Sequence, residues 1–232
     1  FILPFLNLKS KNINKFDFSI KGVTSISADT HKYGCCPKGS SVLIFRDKKM
    51  FESCYFIQSE WSGGIYATTN ITGSRSGLNL AWTWSMLNYL GVNKLTYQAN
   101  TITDYLDKIK SEFANDTDVF IYGDPKVCVV GFGSNTIDIY KLSQKMKHLG
   151  WNLNELQNPP SFHLCVTNCH TDQIINKFIE DMRSSITVIL NEIQDNDQLS
   201  KQSGSSIYGT TQKVPDQGIV DRVVIRYLNA IH

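Results

Sequence analysis

Between Val119 and Ile193 the chain alternates short β-branched and aromatic runs with long amphipathic ones, and that order leaves few folds open. Val119-Phe-Ile-Tyr122 and Val127-Cys-Val-Val-Gly-Phe132 read as strands joined by a turn at Gly123-Asp-Pro125. Asp138 to Leu149 reads as a helix with Ile139, Leu142, Met146 and Leu149 on one side and Gly150 at its C-terminus. Trp151 to Leu156 and Phe162 to Val166 supply a second strand pair, separated by Pro159-Pro160. A long helix follows, capped by Asp172, with a buried stripe of Ile175, Phe178, Ile179, Met182, Ile186, Ile189 and Ile193. A β-β-α-β-β-α order of this kind specifies a small α/β domain.

Upstream, Leu95, Ala99, Ile102, Leu106, Ile109 and Phe113 step by four and three, with Lys108, Lys110 and Glu112 on the opposite face. Asn115-Asp116 breaks that pattern, which places the domain boundary there and gives domains 1–115 and 116–232. Leu78 to Leu90 is apolar nearly all round, as expected of a buried helix, and Gly91 ends it. Residues 1–6 read as the end of a helix or strand, 7–15 as a polar loop and 51–65 as irregular chain bent at Gly63-Gly64. Residues 194–206 form a polar linker and 220–228 a last short helix.

Composition rules out several classes. At 232 residues, 41% hydrophobic and 19% charged, the chain has the make-up of a globular protein with a substantial core. Its net charge is +2 and no basic run exceeds Lys48-Lys49, so nothing calls for nucleic acid. No apolar stretch reaches the length of a membrane span, and Phe1-Ile-Leu-Pro-Phe-Leu6 is too short for a signal sequence. Five of the six cysteines lie in or beside apolar runs and are expected to be buried free thiols in a reducing compartment.

The candidate chemistry centres on a polar turn. His31 and Lys32 sit between Gly22-Val-Thr-Ser-Ile-Ser-Ala28 and Ser41-Val-Leu-Ile-Phe45, both strand-like. An ammonium between two buried strands costs several kcal/mol unless something neutralises it. A depressed pKa is one solution, and it leaves an amine able to form a Schiff base with a carbonyl. A solvated loop lysine is the plain alternative. A second glycine-rich turn, Gly73-Ser-Arg-Ser-Gly77, presents backbone N–H groups and a hydroxyl suited to an anion, though such turns also cap ordinary helices. His163, Cys165, Cys169 and His170 offer metal ligands, but strand alternation puts His163 and Cys165 together facing the core. No further cysteine pair completes a tetrahedral set, so no metal site is expected.

Ala28-Asp-Thr-His-Lys-Tyr-Gly34 followed by Pro37-Lys-Gly-Ser-Ser41 resembles the cofactor-lysine segment of the sphingosine-1-phosphate lyases, within the pyridoxal-phosphate decarboxylase-like group of fold-type I enzymes. The resemblance continues through Trp61, Gly63-Gly-Ile-Tyr-Ala67, Gly73-Ser-Arg75, Gly150-Trp-Asn-Leu-Asn154, Leu156-Gln157, Pro159-Pro160 and Ile207-Tyr-Gly209. It departs at Cys35-Cys36 and Ser76, where the family has Phe-Ala and Pro. It implies an α/β, fold-type I transferase-like architecture: the C-terminal part of a large pyridoxal-phosphate-binding domain plus a small C-terminal domain. By the same resemblance Lys32 holds pyridoxal 5'-phosphate as a Schiff base and His31 contacts its phosphate. Gly73 and Ser74 reach the phosphate bound in a partner subunit of a homodimer, and Lys38 assists catalysis.

The implied reaction cleaves a phosphorylated sphingoid base to a long-chain aldehyde and phosphoethanolamine. An amino-acid decarboxylase sharing Lys32 is the alternative. The family's acidic partner for the pyridine nitrogen falls upstream of Phe1, so the chain is expected to be the C-terminal portion of a longer protein, inert without its other half. Any membrane anchor then lies outside these residues. The expected location is the cytosolic face of the endoplasmic reticulum in a eukaryote, or the cytoplasm in a bacterium.

Overall fold

The structure, a computed structural model, describes residues 1–196 and 217–231. They form two compact units, Phe1–Thr101 and Ile102–His232. The first unit opens with a 3-10 turn at Leu3–Phe5. Two antiparallel hairpins follow: β1 (Ser25–Ala28) pairs with β2 (Val42–Phe45), and β3 (Phe56–Gln58) with β4 (Tyr66–Thr68). Between them α1 (Lys48–Glu52) starts where the Asp47 carboxylate accepts from Met50 N–H at 2.9 Å. The second hairpin occupies the span read from sequence as irregular. Its strands are three residues each, too short to show a period of two.

Helix α2 (Gly77–Phe113) is broken at Gly91, whose φ of 62° and ψ of 171° are not helical. That break falls where the sequence places the end of the first apolar helix. The expectation that this first segment is buried all round is corrected: Leu78, Trp84 and Tyr89 are exposed. So are Val42, Leu43 and Ile44 of β2, read from sequence as a buried strand. Among the described residues neither hairpin pairs a third strand, so nothing in this chain's own sheets covers these side chains.

The second unit packs a four-stranded antiparallel sheet in the order β5-β6-β8-β7 against helices. Its strands are β5 (Phe120–Ile121), β6 (Val129–Gly133), β7 (Asn154–Leu156) and β8 (Ser161–Cys165). Helix α3 (Ile139–His148) links the two hairpins, and α4 (Asp172–Asn196) follows β8. Alternation along β8 sends Phe162 and Leu164 into the core and leaves His163 and Cys165 half-buried on the other face. The sequence expectation for that pair is therefore inverted. The core holds Phe113, Phe132, Phe162 and Phe178, all fully or almost fully buried, with Phe113 edge-on to Phe132 at 5.5 Å and Trp151 edge-on to Phe178 at 5.2 Å.

The division between units falls inside α2 at Thr101–Ile102, not after it at Asn115-Asp116, because the stripe Ile102, Leu106, Ile109 and Phe113 is buried with the second unit. Helix α3 is capped by Asp138, as its sequence suggests. The N-terminus of α4 is not capped by Asp172. Thr171 accepts there from Ile174 N–H at 3.3 Å, and Asp172 instead pairs with Lys108 at 2.8 Å. A last helix, α5 (Gln217–Ile231), is longer at both ends than the sequence suggests. Of the expected linker, 194–196 is helical and the rest lies outside the described residues. Of the six cysteines only Cys36 is buried. The buried-thiol reading fails because three of them sit in turns, where apolar neighbours do not imply a core position.

Candidate active site

Residues 29–41 bridge β1 and β2 as a loop closed on itself. Its centre is Thr30, fully buried, whose hydroxyl meets the Ser40 hydroxyl at 2.5 Å and whose carbonyl accepts from Cys36 N–H at 3.1 Å. The Ser40 carbonyl accepts twice from His31, from its backbone N–H at 3.3 Å and from ring Nδ1 at 2.6 Å. Gly34 closes against Thr30 so tightly that a Cβ there would stand 2.6 Å from the Thr30 carbonyl oxygen. The loop is therefore rigid at its base while presenting its side chains outward.

Lys32 is one of those side chains. It is 64% exposed, and Nζ pairs with Asp29 Oδ2 at 3.0 Å. The Lys32 hydrogen bond, assisted by Ser41 and opposed by slight desolvation, holds the Asp29 carboxyl below its ordinary 3.8. Burial is thus not what activates this amine, contrary to the reading from flanking apolar runs. Solvent screens an exposed ion pair of this kind, so the amine is readily released to another partner.

Beside the loop lies a cleft of about 1140 Å³ within the first unit. One wall is the lysine loop and β2, contributing Thr30, Gly39, Ser40 and Ser41; the other is the turn before α2 with its first helical turns, contributing Thr72, Arg75, Ser76 and Asn79. The two motifs separated by some forty residues in sequence thus face one space. Lys32, His31, Lys38, Gly73 and Ser74 do not themselves line it; their neighbours in sequence do. Gly73 takes a φ of +65°, a left-handed conformation that favours glycine, and Ser74 is exposed ahead of Gly77, where α2 begins. Sequence reasoning missed the Thr30–Ser40 lock and the hydroxyl-rich lining, although Ser40-Ser41 stood beside the lysine motif as a signal.

Residues 7–135 match the pyridoxal-dependent decarboxylase conserved domain, a span that takes in the lysine loop, both hairpins and the whole of α2. The chain belongs to the pyridoxal-dependent decarboxylase family. Within that family it is similar to sphingosine-1-phosphate lyase 1 of Rattus norvegicus, 39% identical over the whole of this chain and 40% of that protein. Among solved structures it resembles the sphingosine-1-phosphate lyase of Burkholderia pseudomallei, with a TM-score of 0.70, 33% identity, and coverage of 82% of this chain and 45% of the other. It also shares its fold with the glutamate decarboxylase of Lactobacillus brevis, at a TM-score of 0.64 and 20% identity over 81% of this chain and 44% of that one. The architecture is that of pyridoxal-dependent fold-type I enzymes, and the chain spans about 40% of the length of the curated relatives it matches.

The residues present fit the family's cofactor in kind. An aldehyde needs a reachable primary amine, and Lys32 offers one on a loop fixed at its base. A phosphate needs donors, and the adjoining cleft supplies hydroxyls, two amides and a guanidinium, with no carboxylate in its lining. Its lining also contains Thr83, whose hydroxyl is buried without a hydrogen-bond partner. Among the described residues no three His, Cys, Asp or Glu side chains gather as metal ligands.

Proposed function

We propose that the protein carrying this chain is a pyridoxal-phosphate-dependent carbon–carbon lyase that cleaves phosphorylated sphingoid bases to a long-chain aldehyde and phosphoethanolamine. The observation that carries this reading over an amino-acid decarboxylase is the reach of the similarity. Likeness to sphingosine-1-phosphate lyases runs through the whole chain and past residue 135, where the shared decarboxylase domain ends. Likeness to a decarboxylase of known structure, at 20% identity, speaks only to fold.

The cofactor, when bound, supplies an electron sink for the carbanion left by C–C cleavage. Everything else falls to the protein. The Lys32 amine would hold the cofactor at its aldehyde carbon, and for that it would have to leave its pairing with Asp29. His31 serves the cofactor phosphate, and Gly73 and Ser74 serve the phosphate of a partner subunit's site. Lys38, exposed on the same loop, assists at the substrate phosphate or the developing alkoxide. These roles suit a homodimer with shared sites. They also suit a location on the cytosolic face of the endoplasmic reticulum in a eukaryote or in the cytoplasm of a bacterium. Among the described residues no helix is long and apolar enough to cross a membrane, so any anchor is sought elsewhere in the protein.

The test is borohydride reduction of the full-length protein with pyridoxal phosphate, peptide mapping of the adduct, and product analysis on sphingosine-1-phosphate. A stoichiometric adduct on Lys32, lost in Lys32→Ala, with hexadecenal and phosphoethanolamine as products, is the expected result. Adduct elsewhere refutes the site. Carbon dioxide from an amino acid, without aldehyde from the lipid, moves the assignment to a decarboxylase.

A further inference from the structure

Arg75 differs from the other cations of the first unit in where it stands. It is the only charged residue lining the cleft, and among the described residues it makes no hydrogen bond, ion pair or ring contact. Lys32 is tied to Asp29, Lys48 to Glu52, and Arg46 to the carbonyls of Val23 and Ile20; Lys38 and Lys49 are likewise unpaired, but neither lines the cleft. The same lining is rich in neutral donors, Ser40, Ser41, Thr72, Ser76 and Asn79, and it includes the unpartnered Thr83 hydroxyl. An unpaired guanidinium among hydroxyls, with no carboxylate to neutralise it, is the donor set for a phosphate oxyanion. The cleft also carries apolar lining from both sides: Leu43, Phe45 and Phe51, where the two rings pack at 5.5 Å, and Leu80 and Trp84 of α2.

We propose that Arg75 is the anion-recognition residue of this cleft and that it takes the phosphate monoester of a ligand whose carbon skeleton lies against the apolar lining of Phe45, Phe51 and Trp84. The inference rests on the pyridoxal-dependent reading of the site, and two phosphate monoesters meet the description: the cofactor's own and that of the lipid substrate. A phosphate bound by one guanidinium and several hydroxyls gives a charge-assisted contact, whose loss costs roughly 10- to 100-fold in affinity.

The experiment uses the full-length protein as wild type, Arg75→Gln and Arg75→Lys. One arm titrates apoprotein with pyridoxal phosphate and follows its absorbance. The other titrates cofactor-loaded protein by calorimetry with dodecyl phosphate and, as an uncharged control, dodecanol. A loss of about 10-fold or more for pyridoxal phosphate in Arg75→Gln assigns the contact to the cofactor. The same loss for dodecyl phosphate assigns it to the substrate. In either case dodecanol binding and the melting temperature stay at wild-type values, and Arg75→Lys recovers part of the loss. If both phosphates bind Arg75→Gln within twofold of wild type, or if dodecanol affinity falls in parallel, the proposal is overturned. Product analysis on the wild type is separate: a protein that binds dodecyl phosphate through Arg75 yet releases no aldehyde refutes the lyase reading alone, and the converse refutes Arg75 alone.

Discussion

Gly34→Ala is the most direct challenge to the lysine loop as a rigid platform. The added Cβ would stand 2.6 Å from the Thr30 carbonyl oxygen and 3.2 Å from Thr30 Cα, while real Cβ contacts essentially never fall under 3.0 Å. The backbone must therefore part by at least 0.4 Å, the difference between 3.0 and 2.6. No side-chain rotation can relieve the clash with Thr30, whose crowded atoms are backbone and which is fully buried; the Phe1 ring, 3.1 Å from the added Cβ, crowds it further. The same carbonyl accepts the Cys36 N–H bond at 3.1 Å, which the movement breaks. Overpacking costs about 1–3 kcal/mol and a stranded buried acceptor about 1–3 more. The loop should thus lose roughly 2–6 kcal/mol of local stability, or about thirtyfold and upward in opening equilibrium. Amide hydrogen exchange at Cys36 reads that equilibrium, and the yield of borohydride-trapped cofactor on Lys32 reads its consequence. Gly22→Ala is the control, because its Cβ meets nothing within 4 Å. Cys36 protection within twofold of wild type in Gly34→Ala would refute the account of the loop.

Phe178→Ala removes a fully buried ring that contacts both Phe132 and Trp151, and should cost the second unit about 3–5 kcal/mol in denaturant titrations followed by tryptophan fluorescence; a loss under 1 kcal/mol would contradict the packing. Thr171→Ala should destabilise the same unit by about 1 kcal/mol through loss of the α4 cap, whereas Asp172→Asn should cost less than half of that. Hydrogen bonds first from Lys110 and then from Lys126 lower the Asp124 carboxyl to about 2. Its folded value lies below its unfolded one, so its contribution to stability is complete above pH 3.8 and disappears as pH falls through about 2. In Lys110→Met, NMR titration should show the Asp124 carboxyl moving back toward 3.8, and an unmoved midpoint would sink the assignment.

The second unit was legible in sequence because it closes on itself. Its strands and helices bury one face each, so Ile175, Phe178 and Met182 announce a stripe and Phe162 and Leu164 an alternation. What sequence missed there was local competition: Thr171 outbids Asp172 for the cap, and the half-buried face of β8 takes His163 because its other face is already filled by phenylalanines. The first unit was read less well. Apolar runs such as Val42-Leu-Ile-Phe45 suggested burial, yet a run reports what a segment can bury and not what is there to bury it. At the site, the lysine and the second glycine turn were visible as motifs. Their convergence on one cleft and the unpaired state of Arg75 were not, since both depend on contacts remote in sequence.

The two bonds from His31 to the Ser40 carbonyl fix more than the ring's orientation. A carbonyl oxygen has no hydrogen to give, so ring Nδ1 must carry one, and in the uncharged imidazole Nε2 is then a bare lone pair. The ring is thereby tied to the far end of its own loop, and any displacement of Ser40 carries the imidazole with it.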